Sequence, residues 1–431
     1  MVIGVREPST EDLATLPRAA PFLDSLRREA LDLFLTLPVP SAGTEAWRHT
    51  NLADFDFSFA PFTPGGDAED LNRGQLLNAV DAMGERAGVM IQRNSQVIST
   101  QTATSLTGRG VVFCDLMEAA IKYPELVEPH LHALVPTSRS KFTALHGAFC
   151  AGGTFLYLPR GVVVELPFQS LTYLDVEGAA VFPHTLIVAE EDSEATLIGR
   201  YASPDLGWGF SDAVVEIVAG PAARVRYVSI QEWGEGVTHL EVQRATLDRD
   251  SEVRTLAVGF GGSLARTEAE TVLEGEGASS ETLGLFFADG RQHFDYRAEQ
   301  DHTAPRTTSD LLHKGALRDE SRAVFSGWVH VRPGAQKTDA MQTSRNILLS
   351  DRAKADAVPN LEIETNDVRC GHAASVGPVE DDTLFYLMSR GISRKEAERL
   401  IVLGFFQEVL DRIGLAEVRD GVAAALETEL G

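Results

Sequence analysis

Four small polar corners frame this chain. EDSEA, AGPAA, LDRDS and GEGAS begin at Glu191, Ala219, Leu247 and Gly275, in successive steps of 28 residues. Each lies between apolar runs rich in Val, Leu, Thr and Phe, such as VVEIV and VRYVSI. Short runs of β-branched and aromatic residues bounded by such corners read as strands. Two runs per step leave roughly 14 residues for each strand with its corner. A period this constant predicts a repeat architecture in which each unit buries its face on the next, a mainly β chain wound as a β-solenoid or β-helix. The same corners would serve as hairpin turns in an antiparallel meander, and spacing alone leaves that alternative standing.

The repeat character extends over residues 142–377, with helical or mixed α/β sequence in 1–141 and helical sequence in 378–431. Pro21 and the following FLDSLRREALDLFLTL place Phe22, Leu23, Leu26, Ala30, Leu33, Phe34 and Leu37 near helical spacing, so a helix is expected from Pro21 to Leu37. Pro38 and Pro40 stop it. TPGGDAED around Pro64 is turn-rich, GVMIQRNSQVIST and GVVFCDL read as short strands, and DLMEAAIKYPELVEPHLHAL is helical. Near the C-terminus, EDDTLFYLMSRG carries Leu384, Leu387 and Met388 on one face and ends at Gly391. Ser393 with Glu396 forms a capping box, and Ala397, Leu400, Ile401, Phe405, Leu410 and Ile413 continue an apolar stripe. Such helices either close the open end of a solenoid or dock a partner.

Composition removes several classes of function. A formal charge of −25 repels phosphate backbones and anionic lipid, so neither nucleic acid nor a membrane surface is an expected partner. The most apolar window, GAAVFPHTLIVAEE, is broken by Pro183 and His184 and ends in acids. Three cysteines, Cys114, Cys150 and Cys370, are too few for a disulfide framework, and MVIGVREPSTEDL lacks a secretory pattern, so a reducing cytoplasm is expected. There is no Gly-Lys dipeptide and hence no Walker A loop, and GxGxxG, GxSxG and HExxH are missing as well. GFGGS at Gly259 reads as a backbone corner.

The segment LEIETNDVRCGHAASVG brings Glu362, Glu364, Asp367, Cys370 and His372 close in sequence. On an extended chain Cys370 and His372 face one side, where a thiolate and an imidazole can meet one soft or borderline metal, or a persulfide. Two ligands are half of a closed site, so a partner chain or distant residues must complete it. The plainer alternative is a buried cysteine beside a hydrogen-bonded histidine. His130 and His132, two apart on helical sequence, read as ordinary surface or interface residues.

These residues also carry a resemblance. HKGALRDESRAVFSGWVHVRPGAQKTDAMQTSRNILLSDRAKADAVPNLEIETNDVRCGHAASVGPVEDDTLFYLMSRGIS strongly resembles the SufB/SufD family of iron–sulfur cluster assembly proteins, and FLYLPRGVVVELP at Phe155 and EAWRHTNL at Glu45 extend the likeness over nearly the whole chain. EAWRHTNL is similar to the SufD pattern, and no cysteine lies between Cys150 and Cys370, where the SufB branch is expected to carry one. The resemblance implies a right-handed parallel β-helix flanked by helical regions. It also implies a non-catalytic scaffold subunit that pairs with a SufB-like homologue and binds a SufC-like ABC-type ATPase through residues 381–410, ATP hydrolysis falling to that partner. Cys370 and His372 would then face a transient iron ion or nascent cluster at the subunit interface, with none held tightly by the isolated chain. The usual CSHGATVG reads CGHAASVG here, which changes small neighbours such as Gly371 and Ala373 and keeps both reactive residues. A homodimeric scaffold of the same family is the alternative, ahead of a β-helix polysaccharide lyase.

Overall fold

The computed structural model describes residues 7–53, 55–66 and 85–430; residues 67–70, the end of the TPGGDAED stretch, lie outside these. From Gly153 onward the chain winds between two ten-stranded sheets, and strands inside the stack pair in parallel with their equivalents one coil before and after. This is a β-solenoid of about 8 turns. Parallel pairing excludes the meander, whose hairpins would make neighbouring strands antiparallel. Registers hold along the stack: Leu247 lies between Ala219 and Leu273, and all three are buried. Rows of like side chains therefore form the interior.

The corners explain the period. Asp192, Ala222, Asp250, Gly277, Arg306, Lys337 and Asp367 all adopt left-handed backbone, at intervals of 27 to 31 residues. Glycine, and to a lesser degree Asp or Asn, takes that region most readily, and four of these seven are Asp or Gly, so the small polar corners visible in sequence are places where the chain turns. Inside, bulky rings need space from a neighbouring coil. A Cβ at Gly284 would strike the ring of His313, and one at Gly315 the ring of Phe286.

The two ends of the solenoid differ. At the N-terminal end the antiparallel hairpin of Gly88–Arg93 and Gln96–Thr102 extends one sheet, and Val112–Asp115 runs antiparallel to Gly153–Leu158 in the other. At the C-terminal end Lys354–Ile363 and Arg369–Pro378 are the last strands, each paired on one side only among the described residues.

Helix α1 (Pro21–Thr36) buries Leu23, Ala30, Leu31 and Phe34 against α2 (Lys141–Phe149). All nine residues of α2 are buried. Residues 142–149, read from sequence as the start of the strand-rich region, are therefore helical. KFTALHGAF is buried around its whole circumference, which removes the polar face that marks a helical period, while Ser140 caps the helix by accepting the Thr143 N–H at 3.1 Å. The EAWRHTNL motif seats the N-terminal segment on the solenoid. Arg266 stacks 4.0 Å from the Trp47 ring, Arg297 donates to the Ala46 carbonyl at 2.7 Å, and Thr50 donates to Asp295 at 2.6 Å.

Three helices follow the last strand: α3 (Asp381–Ser389), α4 (Arg394–Leu410) and α5 (Ala416–Leu430). Val402, Phe406 and Val409 of α4 and Val422 and Leu426 of α5 pack on Ile198, Val228, Leu256, Leu283 and Leu312. These helices lie along the outer face of one sheet and do not close the solenoid end, because that face carries an apolar stripe needing cover. Ser393 accepts the Glu396 N–H at 3.3 Å, but the Glu396 carboxylate turns to Arg399, so only half of the expected capping box forms. No helix among the described residues is long and apolar enough to cross a membrane.

Candidate functional site

The last coil positions the residues singled out in the sequence. In the strand Arg369–Pro378, Cys370 and His372 stand beside Ala340 and Gln342 of the preceding coil, both buried. Alternation along a strand therefore aims Cys370, His372, Ala374 and Val376 at the solenoid interior. Among the described residues no further coil covers that interior, so His372 is exposed and Cys370 half-buried against Val329, Val331 and Ala340. The extended pairing expected of Cys370 and His372 is present.

The acids of the same segment do not join them. Leu361 takes the inward row of its strand, packing on the cluster that Cys370 also touches. Glu362 is on the opposite face, with its carboxylate 3.2 Å from His330 Nδ1, and Glu364 faces Arg332 at 4.0 Å. Asp367 occupies a left-handed corner, where its carbonyl accepts the Lys337 N–H at 2.7 Å. The sequence cluster of five thus divides into two inward residues and three that shape the outer face and corner.

Burial separates the three thiols by reactivity. Cys114 and Cys150 are pushed up to about 12 by burial, which leaves them inert. Burial also raises Cys370, so its thiol stays protonated at neutral pH until a cation draws the proton off. Beside the strand, α3 buries Leu384 and exposes Phe385 and Tyr386, 74% and 56% accessible, together with Met388. Met388 was expected on the apolar inner face with Leu384 and Leu387, and it points outward instead.

A second cluster escaped the sequence reading. His132, read as a surface residue, is buried with His146 and His184, and the ring centroids lie 4.9 to 5.6 Å apart. Glu216 accepts from the His132, Leu134 and Val135 N–H groups at 2.6, 2.7 and 2.8 Å and lies 3.0 Å from His184 Nε2.

Comparison with known proteins gives the family. Residues 172–405 match the family described as SUF system FeS cluster assembly, SufBD core domain, and residues 11–170 match the SufBD protein N-terminal region. This chain belongs to the SufBD family. It is 31% identical to the iron–sulfur cluster assembly protein SufD of Bacillus subtilis, over 95% of this chain and 94% of that protein. Identity to SufB of the same organism is 27%, over 94% and 88%, and to a SufBD family protein of Staphylococcus haemolyticus 28%, over 94% and 88%. As a SufBD protein the chain serves iron–sulfur cluster assembly, and of the SufD and SufB of that organism it has the higher identity to SufD. The polysaccharide lyase expectation falls with that membership.

Proposed function

We propose that this SufBD protein is the SufD-type scaffold subunit of a cluster assembly complex. Its open solenoid end pairs with the matching end of a SufB-like homologue, and Cys370 and His372 supply ligands to iron or a nascent cluster at the seam. The exposed face of α3 docks a SufC-like ABC-type ATPase. The chain is not itself an enzyme in this reading, and ATP is hydrolysed by the ATPase, since this sequence carries no Walker A loop. A cytoplasmic location suits three free cysteines.

The observation that carries the reading is the uncovered last coil. Among the described residues two strands end there with one free edge each, and the half-buried Cys370 thiol stands on one of them beside an exposed imidazole. Free edges invite further strands. A thiol and an imidazole are an incomplete ligand set that a second chain can complete. The same edges can meet their own copies across a two-fold axis, so the chain purified alone is expected as a homodimer.

Co-expression with a SufB-like chain and a SufC-like ATPase, followed by anaerobic iron and sulfide analysis, tests this. Losing an outer partner of a metal ligand already costs roughly 10–100-fold in affinity, so His372→Ala is expected to leave the complex intact and lower its iron at least about tenfold. Unchanged iron and sulfide in that variant would remove Cys370 and His372 from the seam chemistry.

A further inference from the structure

A buried group of metal-competent side chains lies far along the chain from Cys370 and His372. His132, His146 and His184 each present one nitrogen, and the three nitrogens lie within 4.8 Å of one another. The residues come from three separate pieces of chain: the turn preceding α2, α2 itself, and the strand His184–Ala189. His146, His184 and Glu216 are fully enclosed, and His132 is 9% accessible.

Hydrogen bonding fixes which nitrogen is free on each ring. His132 Nδ1 is 3.1 Å from the Val135 carbonyl, His146 Nδ1 is 2.8 Å from the Asp212 carbonyl, and His184 Nε2 is 3.0 Å from the Glu216 carboxylate. Carbonyls and carboxylates only accept, so each of these nitrogens carries a proton. The lone pairs of neutral rings then sit on His132 Nε2, His146 Nε2 and His184 Nδ1. A ring whose other N–H is held by a carbonyl or carboxylate is the usual form of a metal-bound histidine.

The His146–His184 spacing agrees with this. His146 Nε2 and His184 Nδ1 are 3.1 Å apart. Two Zn–N bonds of tetrahedral geometry separate their nitrogens by about 3.3 Å. With no positive charge between them, the two lone pairs would face each other at repulsive range. A proton could bridge these two nitrogens but would leave His132 without a role. One cation serves all three. His132 is also held in left-handed backbone, φ 57°, a costly conformation for a residue with a Cβ. Glu216 fixes that turn through three N–H groups while orienting the His184 ring, so a single carboxylate sets two of the three ligands.

We propose that His132, His146 and His184 bind one borderline divalent cation, Zn²⁺ or a similar first-row ion, with Glu216 as the orienting carboxylate. Three neutral imidazoles select such an ion over Mg²⁺ or Ca²⁺. The ion ties the N-terminal helical region to the first coils. This departs from the expectation that the isolated chain holds no metal tightly.

The test uses the full chain carrying Cys370→Ala and His372→Ala, so that the open end contributes no ligand. Protein expressed in Zn²⁺-supplemented medium and washed with chelator is expected to keep one ion per chain by metal analysis. Co²⁺-grown protein is expected to show the visible d–d absorption of four-coordinate Co²⁺. Adding His132→Gln, on a turn rather than in the helix or a strand, should abolish both signals with the circular dichroism unchanged. Should that variant fail to fold, the melting temperature of the Cys370→Ala, His372→Ala protein decides: stripping the metal should lower it by several degrees. No retained metal, metal kept undiminished by His132→Gln, or a melting temperature indifferent to stripping would overturn the proposal.

Discussion

Glu241 shows how the solenoid interior treats a charge. It is buried, with Tyr201 donating at 3.3 Å and the Ser229 hydroxyl 3.2 Å from both carboxyl oxygens. His239 Nε2 is 4.0 Å away, but burial holds that ring down to about 3, so it brings no positive charge. Burial pushes Glu241 up to about 7 against the pull of its hydrogen bonds. Between its unfolded value near 4.5 and about 7, the native carboxyl keeps a proton that the unfolded chain has released, so native stability falls as pH rises through that window. Glu241→Gln removes the term. It is expected to leave the denaturation midpoint almost unchanged near pH 4 and to stabilise by about 3 kcal/mol at pH 8. Equal effects at both pH values would show that Glu241 ionises normally. Placement set by chain neighbours was readable at this scale, as the shared face of Cys370 and His372 was from their i, i+2 spacing. His132, His146 and His184 were not, because only the fold brings a turn, a helix and a strand together.

Among the elements, α3 stands out for what it leaves uncovered. α4 and α5 bury their apolar faces on the sheet, and Lys314 anchors α4 through the Phe405 carbonyl at 2.8 Å and Glu408 at 2.6 Å. α3 buries Leu384 while Phe385, Tyr386 and Met388 face solvent. Large aromatic side chains clustered on a surface are the usual anchors of an interface. Phe385→Ser with Tyr386→Ser is expected to change folding stability by no more than about 0.5 kcal/mol and to weaken ATPase binding by roughly 30-fold, measured by titration calorimetry. Unchanged affinity would place the docking surface elsewhere. Periodicity recovered α1 to within a residue, because one face is polar and the other apolar. It failed for α2, where burial on every side erased the contrast that a period depends on.

For the whole molecule, the corner period sufficed to choose the solenoid once strands proved parallel, since coils differ by only a few residues. The asymmetry of the ends was hidden, because strands at an open end are spelled like those inside. Backbone bonding at that end is specific. Arg369 and Val379 donate to Thr338 and Leu348 of the previous coil, so the even positions between them turn their N–H groups to the free edge. In the other sheet Lys354 and Glu364 donate backward, and the odd positions face outward. One of these is Pro359, which has no N–H to offer, so that edge is blunted and Arg369–Pro378 is the better template. Ala374→Pro would remove an outward N–H without breaking an existing rung. It is expected to keep the melting temperature within a few degrees and to weaken pairing at least about tenfold by sedimentation, since each hot-spot loss is worth a factor of that order. Undiminished pairing would mean that the seam forms away from this edge. Only Val379 and Glu380 separate the strand from α3. Such a short tether has no slack, so whatever grips the aromatic face holds a lever whose short arm is the strand of Cys370 and His372, and torque on the helix reaches that strand without passing through the rest of the coil.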